Sequence, residues 1–552
     1  MKRLIICLLL VIQFNAGKAQ TNTNHPLNPD KPKLVVGVVV DQMRYDYLTR
    51  FWDKFGDDGF KRLIREGYNF KNNNYNYVPT YTAPGHTSIY TGTTPENHGI
   101  ISNGWYDKFE KAEVYCTQDS DVSPVGTKSS AGKMSPHRMN ATTVADENRL
   151  FTQFKGKTIG ISLKDRGAIL PAGHTANAAY WFNGYNEGNF ISSSYYMDKL
   201  PDWVETFNKS EKVKSYLKSW NTLQDIETYT ESGSDENAFE GGFSGKETAT
   251  FPYDLKKLSS KNGDLDILKS TPYGNSILAD FAIATLEGED LGEDDYTDFF
   301  TVSFSSTDYI GHNFGVDSKE VEDAYIRLDV DLARLLKALD KKVGAGNYTL
   351  FLTADHGGGD VPSYLQSVRV PGGYFDELVF EKDLKEFLKD NYKNEDLIEN
   401  VSNYQVFFNY KEVLKADIDF AELEKVIAHY ALKYKQVNKV FTRTQLEGTN
   451  YTSGLASLVQ NGFNQKRSGD VVLVLDPATI TYSKTGSTHG SGYSYDTHAP
   501  LIFFGKGIPH GSTTKPNEAV DIAPTISSLL GIPMPNSATG KPLYEMLDSK
   551  KD

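Results

Sequence analysis

Lys33-Leu34-Val35-Val36-Gly37-Val38-Val39-Val40-Asp41 is an almost unbroken apolar run that ends on a carboxylate. A strand with one wet face alternates apolar and polar residues. This one does not, so it reads as a strand buried on both faces, the pattern of a parallel sheet covered by helices. Lys157 to Ser162 repeats it and runs into Leu163-Lys164-Asp165-Arg166. Asp298 to Ser305 leads to Asp308, and Tyr348 to Thr353 ends at Asp355-His356-Gly357-Gly358. Pro500 to Gly505 is a further strand, an amphipathic helix is expected from about 318 to 341, and a closing helix over roughly 521–530. The predicted fold is α/β: a doubly wound, mostly parallel sheet sandwiched by helices, with inserted cap segments at about 180–270 and 362–466. The first insertion is rich in Tyr, Asn, Ser, Gly and acids without periodicity and reads as surface decoration; the second carries an αβ pattern of its own.

Doubly wound sheets bind ligands outside the carboxyl ends of their strands. Asp41, Asp308 and Asp355 all follow a strand within a few residues, so the topology delivers them to one crevice. An aspartate after a strand is also a common turn or cap residue. Two of the three carry more than that. Asp308 and His312, spaced i, i+4, share a face if the segment is helical. Asp355-His356 is followed by two glycines that allow close approach of a ligand. His489 lies in the Gly- and Ser-rich loop Ser487-Thr488-His489-Gly490-Ser491-Gly492. Together these are three Asp and three His, enough for two three-ligand metal sites. Imidazole and carboxylate without thiolate suit zinc. Two zinc ions about 4 Å apart form the clamp used for in-line displacement at phosphorus.

Tyr81-Thr82-Ala83-Pro84-Gly85-His86 places a hydroxyl at the mouth of a short helix that Gly92 stops. Pro84 suits a first helical turn. A threonine there is an ordinary N-cap, yet it also sits at the positive end of a helix dipole, which favours an oxyanion and a bound phosphate. Lys164 and Arg166 face the same side if residues 163–166 stay extended, with Asp165 turned away, and a point charge beside a planar fork matches a dianionic phosphoryl group.

The 552 residues are 39% hydrophobic and 24% charged, as expected of a well-packed protein with a sizeable core. A formal charge of −14 and the lack of any basic stripe argue against nucleic acid. Lys2 and Arg3 before the apolar run Leu4 to Ile12, then Gly17-Lys18-Ala19, read as a cleaved signal peptide over residues 1–19. Its removal takes away three cations and no acid, leaving −17. Cys7 goes with it, so Cys116 has no partner for an intrachain disulfide. Beyond residue 20 no stretch is long and apolar enough to anchor the chain in a membrane, and the expected location is periplasmic or secreted.

Asp41, the Thr82 helix, Asn103, Lys164-x-Arg166, Asp308-x-x-x-His312, Asp355-His356, His489 and the closing Asp521-Ile522-Ala523-Pro524-Thr525 resemble, as an ordered set from about residue 33 to 545, the alkaline phosphatase superfamily. Within it they are similar to the monomeric, periplasmic, phosphate-irrepressible alkaline phosphatases with a threonine nucleophile. The resemblance implies Thr82 as nucleophile, carrying a covalent phosphothreonine and touching a metal. It implies one zinc on Asp308, His312 and His489, near the leaving group, and a second on Asp41, Asp355 and His356. Asn103, Lys164 and Arg166 would bind the non-bridging phosphoryl oxygens. The implied partners are small-molecule phosphate monoesters, the implied state a monomer. His86, His98 and His498 are taken as structural. A nucleotide phosphodiesterase or pyrophosphatase on the same scaffold, and a catalytically silent phosphate-binding module, are the alternatives. A sulfatase is disfavoured because Thr82-Ala83-Pro84-Gly85-His86 lacks the Cys or Ser and the Arg of its motif, and a cofactor-independent phosphoglycerate mutase by the export signal and the threonine.

Overall fold

The computed structural model describes residues 31–549 apart from residue 186, so the expected signal peptide lies outside the described residues. One large mixed sheet organises the chain. Its strands are β1 (Leu34–Val40), β2 (Tyr68–Asn74), β3 (Thr158–Ser162), β4 (Ala178–Asn183), β5 (Asn189–Ser193), β6 (Asp298–Phe304), β7 (Tyr348–Thr353) and β8 (His498–Gly505). They lie in the order β2-β8-β7-β1-β6-β3-β4-β5, with short strands beyond both edges. The five strands from β7 to β4 are mutually parallel, while β8, β2 and β5 join by antiparallel pairing. The α/β sandwich expected from the apolar runs is the fold observed.

β1 shows why an unbroken apolar run belongs at the centre. All seven residues are buried, and successive side chains enter different cores. Leu34, Val36, Val38 and Val40 pack on one face with Ile277, Leu278, Leu332 and Leu335 from the helices Pro272–Gly288 and Lys319–Leu339. Val35 and Val39 pack on the other with Ile89, Tyr90, Ile522 and Ile526. Each such side chain contributes about 1.5–3 kcal/mol of burial, and a polar residue on either face would forfeit one of the two layers.

Two expectations are revised here. The segment from about 180 is not surface decoration, because β4 and β5 belong to the large sheet. Beyond them Trp203, Phe207, Trp220 and Tyr253 are built into the aromatic part of the main core, around Phe281 and Phe314. Aromatic side chains scattered at irregular spacing carry no period, which hid this burial. The other revision concerns the second insertion, which runs beyond 466: Val471–Leu475 belongs with it in a separate four-stranded sheet, in the order Ile398–Ser402, Gln405–Phe408, Val471–Leu475, Val437–Thr442. Helices Glu377–Tyr392 and Phe420–Ala431 cover it, and Phe380, Leu384, Leu388, Leu423 and Ile427 form an apolar core distinct from that of the main sheet.

Candidate active site

Across the middle of the sheet the strands run β3-β6-β1-β7, and each ends on a polar group. Lys164, Asp308, Asp41 and Asp355 therefore follow one another along a single edge, as the doubly wound topology requires. Thr82 reaches them from the opposite layer, on helix α1 (Thr82–Thr91). All ten residues of α1 are buried although half of them are polar. The helix satisfies two of them itself: Thr87 and Thr91 donate their hydroxyls to the carbonyls of Ala83 and Thr87. Gly92, in the left-handed region at φ 67°, ends it. Gly85 sets its depth, since a Cβ there would lie 2.8 Å from the Cβ of Asp355 and closer still to its carbonyl oxygen.

Thr82 is the first residue of the helix, not its cap; Tyr81 holds that place and gives no side-chain bond. The Thr82 hydroxyl is thus free of capping duty and lies 3.5 Å from His356 Nε2. Asn103 stays beside it because its Oδ1 accepts the Ala83 N–H at 2.9 Å.

Around His356 Nε2 the carboxylate oxygens Asp41 Oδ1 and Asp355 Oδ2 each lie at 3.5 Å, and both are buried without a hydrogen-bond partner. Donor atoms of Asp41, Asp308 and His356 lie within 4.8 Å of one another, and so do those of Asp308, His312 and His489. The second set is the one the resemblance implies. The first joins Asp308 to the expected Asp41 and His356; the expected Asp355 lies next to it, its Oδ2 3.5 Å from His356 Nε2 and 3.3 Å from His86 Nδ1. All three histidines are fixed in the same manner. The Nδ1 atoms of His312, His356 and His489 meet the carbonyls of Ser487, Gly357 and Thr80 at 2.7–2.8 Å, which leaves Nε2 as the lone-pair nitrogen. Asp308 and His312 share helix Ser306–Phe314, one turn apart, at 3.1 Å. Oxygen and imidazole donors, orphaned buried carboxylate oxygens and histidines held from behind fit a pair of divalent cations.

Lys164 departs from expectation. Residues 163–166 do not stay extended: Lys164 caps helix Asp165–Ala172 and Arg166 lies in its first turn. The Lys164 ammonium donates to Asp41 Oδ2 at 2.7 Å and to Asp308 Oδ2 at 2.6 Å, bridging the two clusters. Arg166 donates to the Tyr115 hydroxyl at 2.9 Å, and its buried Nε has no partner. Asp165, expected to turn away, accepts from Thr117 and from the same Tyr115 hydroxyl that Arg166 meets. The Gly-Gly after His356 serves packing, since a Cβ on Gly357 would strike the Tyr495 carbonyl oxygen and one on Gly358 would lie 3.2 Å from Gln42.

Burial and neighbouring charge pull these groups apart. Burial, with the carboxylates of Asp308 and Asp355 adding to it, holds Asp41 well above the ordinary aspartate range despite Lys164. For Asp308 burial works in the same direction, but His312 and Lys164 outweigh it and hold the group well below. Asp355 is also lowered, burial being overcome by His356 and His86. Burial, then His356, lowers His489; burial lowers His356; at His312 burial is outweighed by Asp308, which raises it.

Gln42, Tyr115 and Tyr482 were not anticipated. Gln42 takes a positive φ of 62°, and from it donates its N–H to Asp355 Oδ1 and its amide to Asp308 Oδ1. A polar residue directly after Asp41 was the only available hint. His86, bonded to Thr82 O and Ser303 Oγ, also touches the site through Asp355, while His98, between Ser88 and Ile100 N, and His498, stacked on Tyr45, pack outside it.

The profile of a family described as type I phosphodiesterase / nucleotide pyrophosphatase matches residues 35–500. A protein of Myroides odoratus named calcium-transporting ATPase is 45% identical over 94% of this chain and 95% of its own. Alkaline phosphatase PafA of Elizabethkingia meningoseptica is 44% identical over 98% of both chains. The crystal structure of wild-type PafA covers 94% of this chain and 99% of its own, with a TM-score of 0.90. Among the described residues no helix is long and apolar enough to cross a membrane.

Proposed function

The chain belongs to the type I phosphodiesterase / nucleotide pyrophosphatase family of the alkaline phosphatase superfamily, and from that premise we propose that it is a phosphate monoester hydrolase acting through a phosphothreonine on Thr82. One observation carries the reading. A buried threonine hydroxyl with no capping role meets His356 Nε2, around which two buried carboxylate oxygens that take no hydrogen bond also lie, with two basic side chains at the same strand ends.

Asp41, Asp355 and His356, with Asp308 close by, would hold one cation, and Asp308, His312 and His489 the other. We take both to be zinc, since nitrogen and oxygen donors are offered without thiolate. Such a pair lowers the pKa of a coordinated hydroxyl and neutralises charge developing at phosphorus. The chain supplies the rest. Thr82 Oγ attacks phosphorus, the Oγ–P bond forms as the bond to the leaving oxygen breaks, and water later cleaves the phosphothreonine to release inorganic phosphate. Lys164 spends two of its three donors on Asp41 and Asp308, keeping one for a phosphoryl oxygen. Arg166 has an unpartnered Nε, and the Asn103 carbonyl is engaged by Ala83 N–H, which turns its amide N–H groups to the substrate. Two cations and an amide suit a dianionic monoester; a monoanionic diester has no use for both charges.

The substrate is accordingly a broad set of small monoesters, since the recognising groups address the phosphoryl end. The leader at residues 1–19 would send a monomeric product to the periplasm or beyond. Initial rates on p-nitrophenyl phosphate and on its bis ester test the reading. The monoester is expected to turn over faster, and the opposite order would make the chain a phosphodiesterase.

A further inference from the structure

A row of rings leads from Thr82 to the surface. Thr82 Oγ1 is 3.5 Å from His356 Nε2, the His356 ring stacks on His489 at 3.4 Å, His489 lies 5.1 Å from His312, and His312 stacks on Tyr482 at 5.7 Å and 26°. Exposure rises along it: His356 is fully buried, the His312 side chain is 25% exposed, and Tyr482 is 42% exposed. Where the row reaches the surface, a cleft of about 470 Å³ opens, lined by Tyr309, His312, Tyr482, Phe243, Asn313 and Asp266 among others.

In-line displacement puts nucleophile and leaving group on opposite sides of phosphorus. With Thr82 at the inner end, the leaving group departs toward His312 and into this cleft. Three aromatic side chains meet it there, and no Lys or Arg lines the walls. The sole acid, Asp266, is already paired with Lys269 at 2.6 Å. Beyond the groups that hold the phosphoryl end, an anionic leaving group finds only the already paired Lys269, whereas a flat apolar one finds the outer face of Tyr482, whose inner face is on His312.

We propose that this cleft is the leaving-group subsite and that Tyr482 selects planar apolar leaving groups, favouring aryl over alkyl phosphate monoesters. The inference rests on the monoesterase reading and narrows its substrate class.

The test compares kcat/KM for phenyl phosphate and ethyl phosphate in the wild type, Tyr482→Ala and Tyr482→Phe, so that the intrinsic reactivities of the esters cancel. Loss of one aromatic stacking partner should lower the phenyl-to-ethyl ratio about fivefold in Tyr482→Ala, mainly through KM for the phenyl ester. Tyr482→Phe should keep the wild-type ratio. Tyr482 is half exposed, and matching melting temperatures would show that the variants fold. If Tyr482 only steadies His312, both esters lose rate together and the ratio stays put, which overturns the subsite but leaves the monoesterase reading intact. A wild-type enzyme that hydrolyses neither ester overturns both.

Discussion

Asp41 and Asp308 are bonded to the same ammonium at nearly the same distance, yet their acidities move in opposite directions. The inner aspartate sits among other carboxylates, and its Oδ1 has no donor. The outer one also has His312, His489 and the Gln42 amide. The outer carboxylate is met by more donors than the inner one. The inner end is the one beside Thr82, whose hydroxyl lies 3.5 Å from His356 Nε2. The asymmetry distinguishes two clusters that look alike in composition.

The most severe way to break the comparison is to remove the group the inner end serves. Thr82→Ala should lower kcat by roughly 10³ or more, abolish trapping of labelled phosphate on the protein, and leave the metal content measured by mass spectrometry unchanged; retained turnover would falsify the assignment. Next come Lys164, which bridges both ends, and Arg166 beside it. Lys164→Ala with Arg166→Ala should cost about 10²–10³ in kcat/KM on a monoester and far less on a diester, seen as a collapse of the rate ratio between p-nitrophenyl phosphate and its bis ester.

Stability of the metal-stripped protein separates the two ends without chemistry. Asp308→Asn leaves Lys164 and His312 short of their shared carboxylate and should cost about 3 kcal/mol in a denaturant melt. Asp41→Asn relieves repulsion and should cost less than about 1 kcal/mol. Equal losses would mean that the ends are not different.

The smallest effect is in pH. Asp41 is held above its ordinary value of 3.8, so between that value and its folded one the folded chain keeps a proton the unfolded chain has released. Its contribution is present below 3.8 and is lost as pH rises through the folded value. Asp308 is held below 3.8, so its contribution is present above that value and is lost as pH falls through the depressed one. In metal-free melts Asp41→Asn should therefore flatten the fall in Tm as pH rises above 3.8, and Asp308→Asn the fall in Tm as pH drops below it.

Much of this was legible in advance because strands buried on both faces announce themselves. The runs ending at Asp41, Asp308 and Asp355 gave the parallel sheet, and the sheet placed the three carboxylates at one edge. Hydrogen bonds between distant segments have no such signature. The seat of Lys164 between two aspartates depends on where the helix from Asp165 begins, and an i, i+2 argument fails once that turn is helical. Gln42 bridges Asp308 and Asp355 only through a left-handed backbone. Tyr482 meets His312 from 170 positions away, and nothing periodic predicts that encounter.

The lobe with its own four-stranded sheet leaves the main chain shortly after His356 and returns shortly before His489, and those two rings stack at 3.4 Å. An excursion whose two ends meet is nearly free to vary in length, since each doubling of a loop costs only about 0.6 kcal/mol in closure entropy. The lobe could therefore grow, shrink or be exchanged over evolutionary time while the paired histidines at its neck kept the large sheet from registering the change.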